Sequence, residues 1–270
     1  MKQFLGIPLA VFLLIAIILS GCVGEQAQSE KNKTDLTVFA AASLTGAMTD
    51  IAKDYEALHP DVHIVTNFDG SQALRTQIEQ GAYADVFLSA NTKHMNALRD
   101  QGLMENDTIS LFARNKLTVI VPVGNPANIT TLKDLARPGT RLVIGTKDVP
   151  IGDYARQILK KMANDSAYGS GYQDAVLKNV MSEETTVTFV VAKVQLGEAD
   201  AGIVYESDVT PENRDKISMI PIPDTFNVIA EYPGGVLAQS GKNAEARKFL
   251  SYLTTDGGQT VLARYGFIRP

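Results

Sequence analysis

The chain has 270 residues, 45% of them hydrophobic, enough to bury a sizeable core and intermediate between one large domain and two smaller ones. Its formal charge is −5, and lysines and arginines are scattered, so it lacks the continuous positive surface that a phosphate backbone needs; nucleic acid is excluded as a partner. Tryptophan is absent and the apolar residues fall in short runs between polar turns, as in a water-soluble globular protein.

Only the N-terminus departs from this pattern. Residues 1 to 22 read MKQFLGIPLAVFLLIAIILSGC: a lysine, an apolar run from Phe4 to Leu19, then small residues ending at the sole cysteine. This is the pattern of a signal peptide over residues 1–21, and the run is short for a membrane span of ~20 residues. The tetrapeptide Leu19-Ser20-Gly21-Cys22 resembles the lipobox of secreted lipoproteins. That resemblance implies that Cys22 is lipidated and becomes the new N-terminus, which explains one cysteine without a disulfide partner. It also implies a protein held on the outer face of the cytoplasmic membrane. Residues 22–34 are polar and read as a flexible tether.

From residue 35, β-rich runs alternate with helical patterns: a strand over 36–41, a helix over 44–59, a strand over 63–68, a helix over 73–81, and strands over 85–90 and 117–122. In the first helix Met48, Ile51, Tyr55 and Leu58 recur at spacings of three and four, and Pro60 ends it. A second series begins with a strand over 141–145, helices over 154–163 and 188–198, and a strand over 201–205. Between 206 and 240 the pattern turns to short strands with prolines, and two helices fill the last 27 residues. Alternation of this kind predicts an α/β fold. The chain is expected to form two lobes, each a mixed, mostly parallel sheet flanked by helices, with a ligand cleft between them. Lobe I takes residues 35–114 and 232–270 and lobe II residues 115–231, with crossings near Pro122 and Gly235.

Several enzyme classes lack their residues. His59 and His63 are four apart, but Pro60 between them breaks the helical spacing of a metal pair. With Cys22 assigned to lipid there is neither a thiolate nucleophile nor a cysteine zinc site. G-x-S-x-G, a phosphate-binding loop ending in Lys-Ser/Thr, and G-x-G-x-x-G after a strand are all absent.

What recurs is a strand running into a helix start. Ser43 follows the first strand and Ser71 the second, while Val149-Pro150-Ile151-Gly152 and Glu184-Thr185-Thr186-Val187 lead into later helices. First-turn N–H groups lack intrahelical partners and sit at the positive end of the helix dipole, so each start can donate to an anion. Taken singly, each is equally readable as a Ser or Thr N-cap serving its own helix. Doubly wound sheets gather such loops at the carboxyl ends of their strands, where several starts can share one ligand.

TVFAAASLTGAMTDIA, the F-x-x-S-x-x-L-x-x-Q-I pattern of Phe68 to Ile78, ADVFLSAN, VPIGDYA, ADAGIVYESD and the closing RYGF resemble, in order and spacing, the periplasmic molybdate-binding proteins of ABC transporters, over about Asp35 to Phe267. The resemblance implies a type II periplasmic binding protein that is not an enzyme, needs no cofactor, and holds molybdenum only as a bound oxyanion, molybdate or tungstate. It implies hydroxyl donors at Ser43, Ser71 and Tyr205 and backbone N–H donors at Ile151 and Val187. The expected partners are a membrane permease with its ATPase, and the membrane through the lipid anchor, with the protein itself monomeric. An oxyanion with only acceptor oxygens needs donors, and charge-assisted hydrogen bonds of ~1.5–3 kcal/mol each hold it without a cationic side chain. Ile151 replaces a small residue of the family. Asp69 and Asp153 add carboxylates near the site, which would suit hydrogen phosphate as proton acceptors or bind the metal directly, or else point to solvent or cap the neighbouring helix. The alternatives are another tetrahedral oxyanion, sulfate or phosphate, or a secreted α/β hydrolase using Ser43 or Ser71 with a histidine.

Overall fold

The computed structural model describes residues 33–270. The signal peptide, Cys22 and most of the tether lie outside the described residues.

The chain opens with β1 (Thr34–Ala41), a 3-10 turn (Ala42–Leu44), α1 (Thr45–Leu58), β2 (Val62–Asp69), α2 (Ser71–Glu79), β3 (Val86–Leu88), α3 (Thr92–Asp100) and β4 (Ser110–Asn115). A single residue, Lys116, separates β4 from β5 (Leu117–Pro122). Then come β6 (Leu142–Gly145), α4 (Pro150–Ala163), α5 (Tyr172–Lys178), β7 (Val180–Glu184), α6 (Val187–Gln195), β8 (Ala201–Tyr205) and β9 (Ile217–Pro221). The chain closes with β10 (Ala230–Val236), α7 (Asn243–Leu253) and α8 (Asp256–Arg264).

These strands form two five-stranded sheets, ordered β2-β1-β3-β10-β4 and β7-β6-β8-β5-β9. In the first, β1 is parallel to β2 and β3, and β10 runs antiparallel to β3 and β4. The second repeats the plan: β6 is parallel to β7 and β8, and β5 is antiparallel to β8 and β9. The expected α/β class with two mixed sheets and a two-lobe arrangement is what the chain forms. The chain passes between sheets at Lys116 and over 222–229, whereas Pro122 and Gly235 lie within strands of one sheet each. Pro122 and Pro221 end strands and Pro233 sits at a bulge at Tyr232/Pro233, while Pro223 lies in the second crossing.

Strand periodicity distributes the core. On β1, Leu36, Val38 and Ala40 face the main core while Phe39 faces a second cluster with Leu74, Ile78, Phe87 and Leu98. The first sheet is thus covered on both faces, which explains the continuous apolar runs in its sequence. Met48, Ile51 and Tyr55 of α1 are buried in the main core, as their spacing predicts, and Leu58 is exposed where the helix ends. Burying a side chain the size of Phe39 or Phe87 stabilises by ~1.5–3 kcal/mol, so these strands are rigid mounts for the loops at their ends.

Candidate functional site

Four strands, β1, β2, β6 and β7, end in helical starts that meet around one small cavity. Ser43, Ser71, Ile151, Val187 and Tyr205 all line it. The rest of the wall is apolar or glycine, including Ala42, Gly70, Ala90 and Pro150, and carries no charged side chain. For the centre of a water-sized sphere the free volume is about 10 Å³, far below the ~300 Å³ and more of sites for drug-sized ligands.

The helix starts are open. Neither the 3-10 turn after Ala41 nor α2, α4 or α6 has a side-chain cap, whereas Asn91 and Thr255 accept from the first turns of α3 and α8. Ser71 is the first residue of its helix, after Gly70, and does not cap it. The capping alternative therefore fails at these four positions, which leaves the foremost N–H groups, such as those of Ile151 and Val187, without a side-chain acceptor.

The hydroxyls are equally directed. Ser71 Oγ accepts a hydrogen bond from the Ala90 N–H at 3.0 Å, so its own proton is free to point elsewhere. Ser43 Oγ lies 3.0 Å from the Tyr232 hydroxyl. Tyr205, 1% exposed at the end of β8, has a buried hydroxyl oxygen with no hydrogen-bond partner. Burial, reinforced by Tyr232, holds its pKa well above the ordinary tyrosine value, so it is a neutral O–H donor at physiological pH. A buried unsatisfied hydroxyl costs free energy, and its placement on the cavity wall marks the cavity as a polar ligand site.

Glycines set the approach of the elements. A Cβ on Gly152 would stand 2.0 Å from the Thr146 carbonyl oxygen, so only glycine lets α4 start this close to the end of β6. The Ile151 side chain packs over Gly145, where an added Cβ would meet its Cγ2 at 2.7 Å. The bulk that Ile151 adds is thus seated against Gly145. Bonds that tie the two sides of the cleft run from Gln72 Nε2 to the Thr185 carbonyl (2.9 Å), from His94 Nε2 to the Asp148 carbonyl (3.1 Å) and from the Tyr154 hydroxyl to the Ala90 carbonyl (3.4 Å).

The two carboxylates lie outside the lining. Asp69 Oδ1 accepts from the Gly70 N–H at 2.7 Å, and Asp153 Oδ2 accepts from Gln157 Nε2 one turn along α4 at 3.0 Å. Each is occupied by its own helix start. The histidines are also elsewhere: His59 stacks on Tyr55, His63 contacts Glu56, and His94 binds Asp148. Neither Ser43 nor Ser71 has a histidine partner, so the hydrolase alternative has no general base. Among the described residues no group of three or more His, Cys, Asp and Glu is placed to hold a metal ion. No helix among them is long and apolar enough to cross a membrane.

Residues 36–268 match the family of bacterial extracellular solute-binding proteins. The chain belongs to this family. The molybdate-binding protein ModA of Mycobacterium tuberculosis is 35% identical over 98% of this chain and 99% of its own length. The substrate-binding domain of a putative molybdenum ABC transporter from Clostridium difficile superposes with a TM-score of 0.66, at 30% identity, over 88% of this chain and all of that one. The periplasmic molybdate-binding protein of Azotobacter vinelandii gives a TM-score of 0.75 over 87% of this chain and 99% of that one, and at 20% identity it shows the shared fold alone. As a member of a solute-binding family the chain captures a ligand and is not an enzyme.

Sequence reasoning missed two contributors to the site, Ala90 and Tyr232. ADVFLSAN was legible as a motif without revealing that the Ala90 N–H orients Ser71. Tyr232 sits in a short proline-containing strand with nothing local to mark it, and only strand order brings it to Ser43.

Proposed function

We propose that this protein captures molybdate, with tungstate as the nearest substitute, and delivers it to the membrane permease of an ABC transporter. The observation that carries this reading is a cavity for one small ion whose polar wall consists of donors: Ser43, Ser71 and Tyr205 hydroxyls with the first-turn N–H groups of Ile151 and Val187. An acceptor-only dianion matches such a wall without a counter-charge, since several charge-assisted bonds act together in a dry site. The likeness to molybdate-binding ModA supports the same solute. In this reading residues 35–114 with 232–270 form lobe I and 115–231 form lobe II. The protein acts as a monomer, and lipidated Cys22 keeps it beside its permease on the outer face of the membrane.

Calorimetric titration of the soluble chain tests the reading. Molybdate is expected to bind tightly and sulfate weakly. Equal affinity for the two would overturn the selectivity, and molybdenum or tungsten in the protein as purified would support it.

A further inference from the structure

Tyr232 is fully buried on β10, and its ring stands edge-on to Phe267 (5.3 Å), Phe112 (6.4 Å) and Tyr205 (5.9 Å). It does not line the cavity. Its hydroxyl oxygen lies 3.0 Å from Ser43 Oγ. A buried phenol has one proton and must place it on an acceptor. Ser43 Oγ lies within reach as that acceptor, and either atom of the pair can donate. An acceptor-only anion in the cavity takes the Ser43 proton, which leaves Ser43 Oγ to accept from Tyr232.

Ser71 is arranged alike, with its oxygen taken by the Ala90 N–H. We infer that Tyr232 is a positioning residue that fixes Ser43 as a donor towards the ligand, so that both serines present protons to it. This deepens the proposed function and rests on it. A wall of fixed donors accepts a fully deprotonated oxyanion and rejects one that carries a proton, because that proton finds no acceptor. Hydrogen phosphate is the excluded species.

The test is a double-mutant cycle read by titration with molybdate, on Tyr232→Phe, Ser43→Ala and the pair. Phenylalanine keeps the ring packing and removes only the hydroxyl. Tyr232→Phe is expected to lower molybdate affinity roughly fivefold where Ser43 is present and to change it less than about twofold where Ser43 is alanine. Equal losses in both backgrounds, or no loss in either, overturn the inference. Phosphate titration of the unaltered protein at pH 7 is a second test that needs no variant: no measurable binding is expected, and affinity matching molybdate overturns the donor-only wall. Tyr232→Phe should narrow the molybdate-to-phosphate ratio, which a merely structural role would not do. Failure of the unaltered protein to bind molybdate counts against the proposed function instead, and the cycle is then read with sulfate.

Discussion

The Tyr205 hydroxyl is enclosed by protein and bonded to nothing, while the rings of Tyr154 and Tyr232 stand 6.5 and 5.9 Å from its own. In a stable core such a group costs about 1–3 kcal/mol, so a protein selected for stability alone would carry phenylalanine here. Tyr205→Phe is therefore expected to leave the ligand-free protein at least as stable as the parent in thermal unfolding. The same change should weaken molybdate binding about tenfold or more, the loss of one charge-assisted bond. A parallel fall in both quantities would make Tyr205 a structural residue and remove it from the site. Asp69 and Asp153 show the reverse relation. They look threatening in sequence, yet Asp69 accepts from Gly70, Asp153 accepts from Gln157 one turn along its helix, and neither lines the cavity.

Among the secondary elements, the decisive contact is between the starts of α2 and α6. Gly70 has ordinary backbone angles, φ −59° and ψ 138°, so glycine is not needed for conformation. It is needed for space: an added Cβ would meet the Thr185 carbonyl oxygen at 2.6 Å and the Gln72 amide at 2.5 Å. Gly70→Ala is expected to hold the two helix starts apart, because a clash with a backbone carbonyl is relieved only by their separation. Affinity for molybdate should fall roughly tenfold, about 1.4 kcal/mol, as one side of the cleft withdraws its donors. Unchanged affinity would show that the approach of α2 to α6 does not contribute to binding. The sequence made these starts legible because strand-to-helix loops carry local marks, Ser71 after a strand or Pro150 before a helix. It left α3, β4, α5 and β7 unread. β7 alternates half-buried and exposed residues, but its sequence VMSEE does not alternate apolar with polar, and α5 is seven residues long after a glycine-rich loop, so neither shows a strong period in sequence. Convergence of the four starts was beyond reach for a different reason. It depends on which strands pair, and pairing is set by contacts across more than a hundred residues.

For the molecule as a whole, two buried ionisable groups are expected to set stability against pH in opposite senses. His94 is held at a pKa of about 4, chiefly by burial, with Arg75 and Lys93 adding to the effect and the Asp148 carbonyl opposing it. The unfolded chain protonates this histidine near its ordinary 6.5 while the folded one does not, so between about 6.5 and 4 its contribution falls as pH falls. Asp208, buried beside Tyr205 and accepting only the Tyr205 N–H, is raised to about 8 by burial. The folded protein keeps this proton where the unfolded chain has lost it, so the stability Asp208 contributes is lost as pH rises from about 4 to 8. From pH 5 to 6.5 the two slopes cancel, and from 6.5 to 8 Asp208 acts alone. Chemical denaturation of the ligand-free protein should therefore show a plateau at pH 5–6.5 and then a loss of about 2 kcal/mol by pH 8, at ~1.4 kcal/mol per pH unit for one proton. Asp208→Asn is expected to abolish the loss above pH 6.5, and His94→Gln to extend the decline through the plateau down to pH 5. A profile that rises from pH 6.5 to 8, or that is unaltered by Asp208→Asn, would show that Asp208 is ionised in the folded protein. Ligand must be removed first, because bound anion adds its own stabilisation and masks the slope.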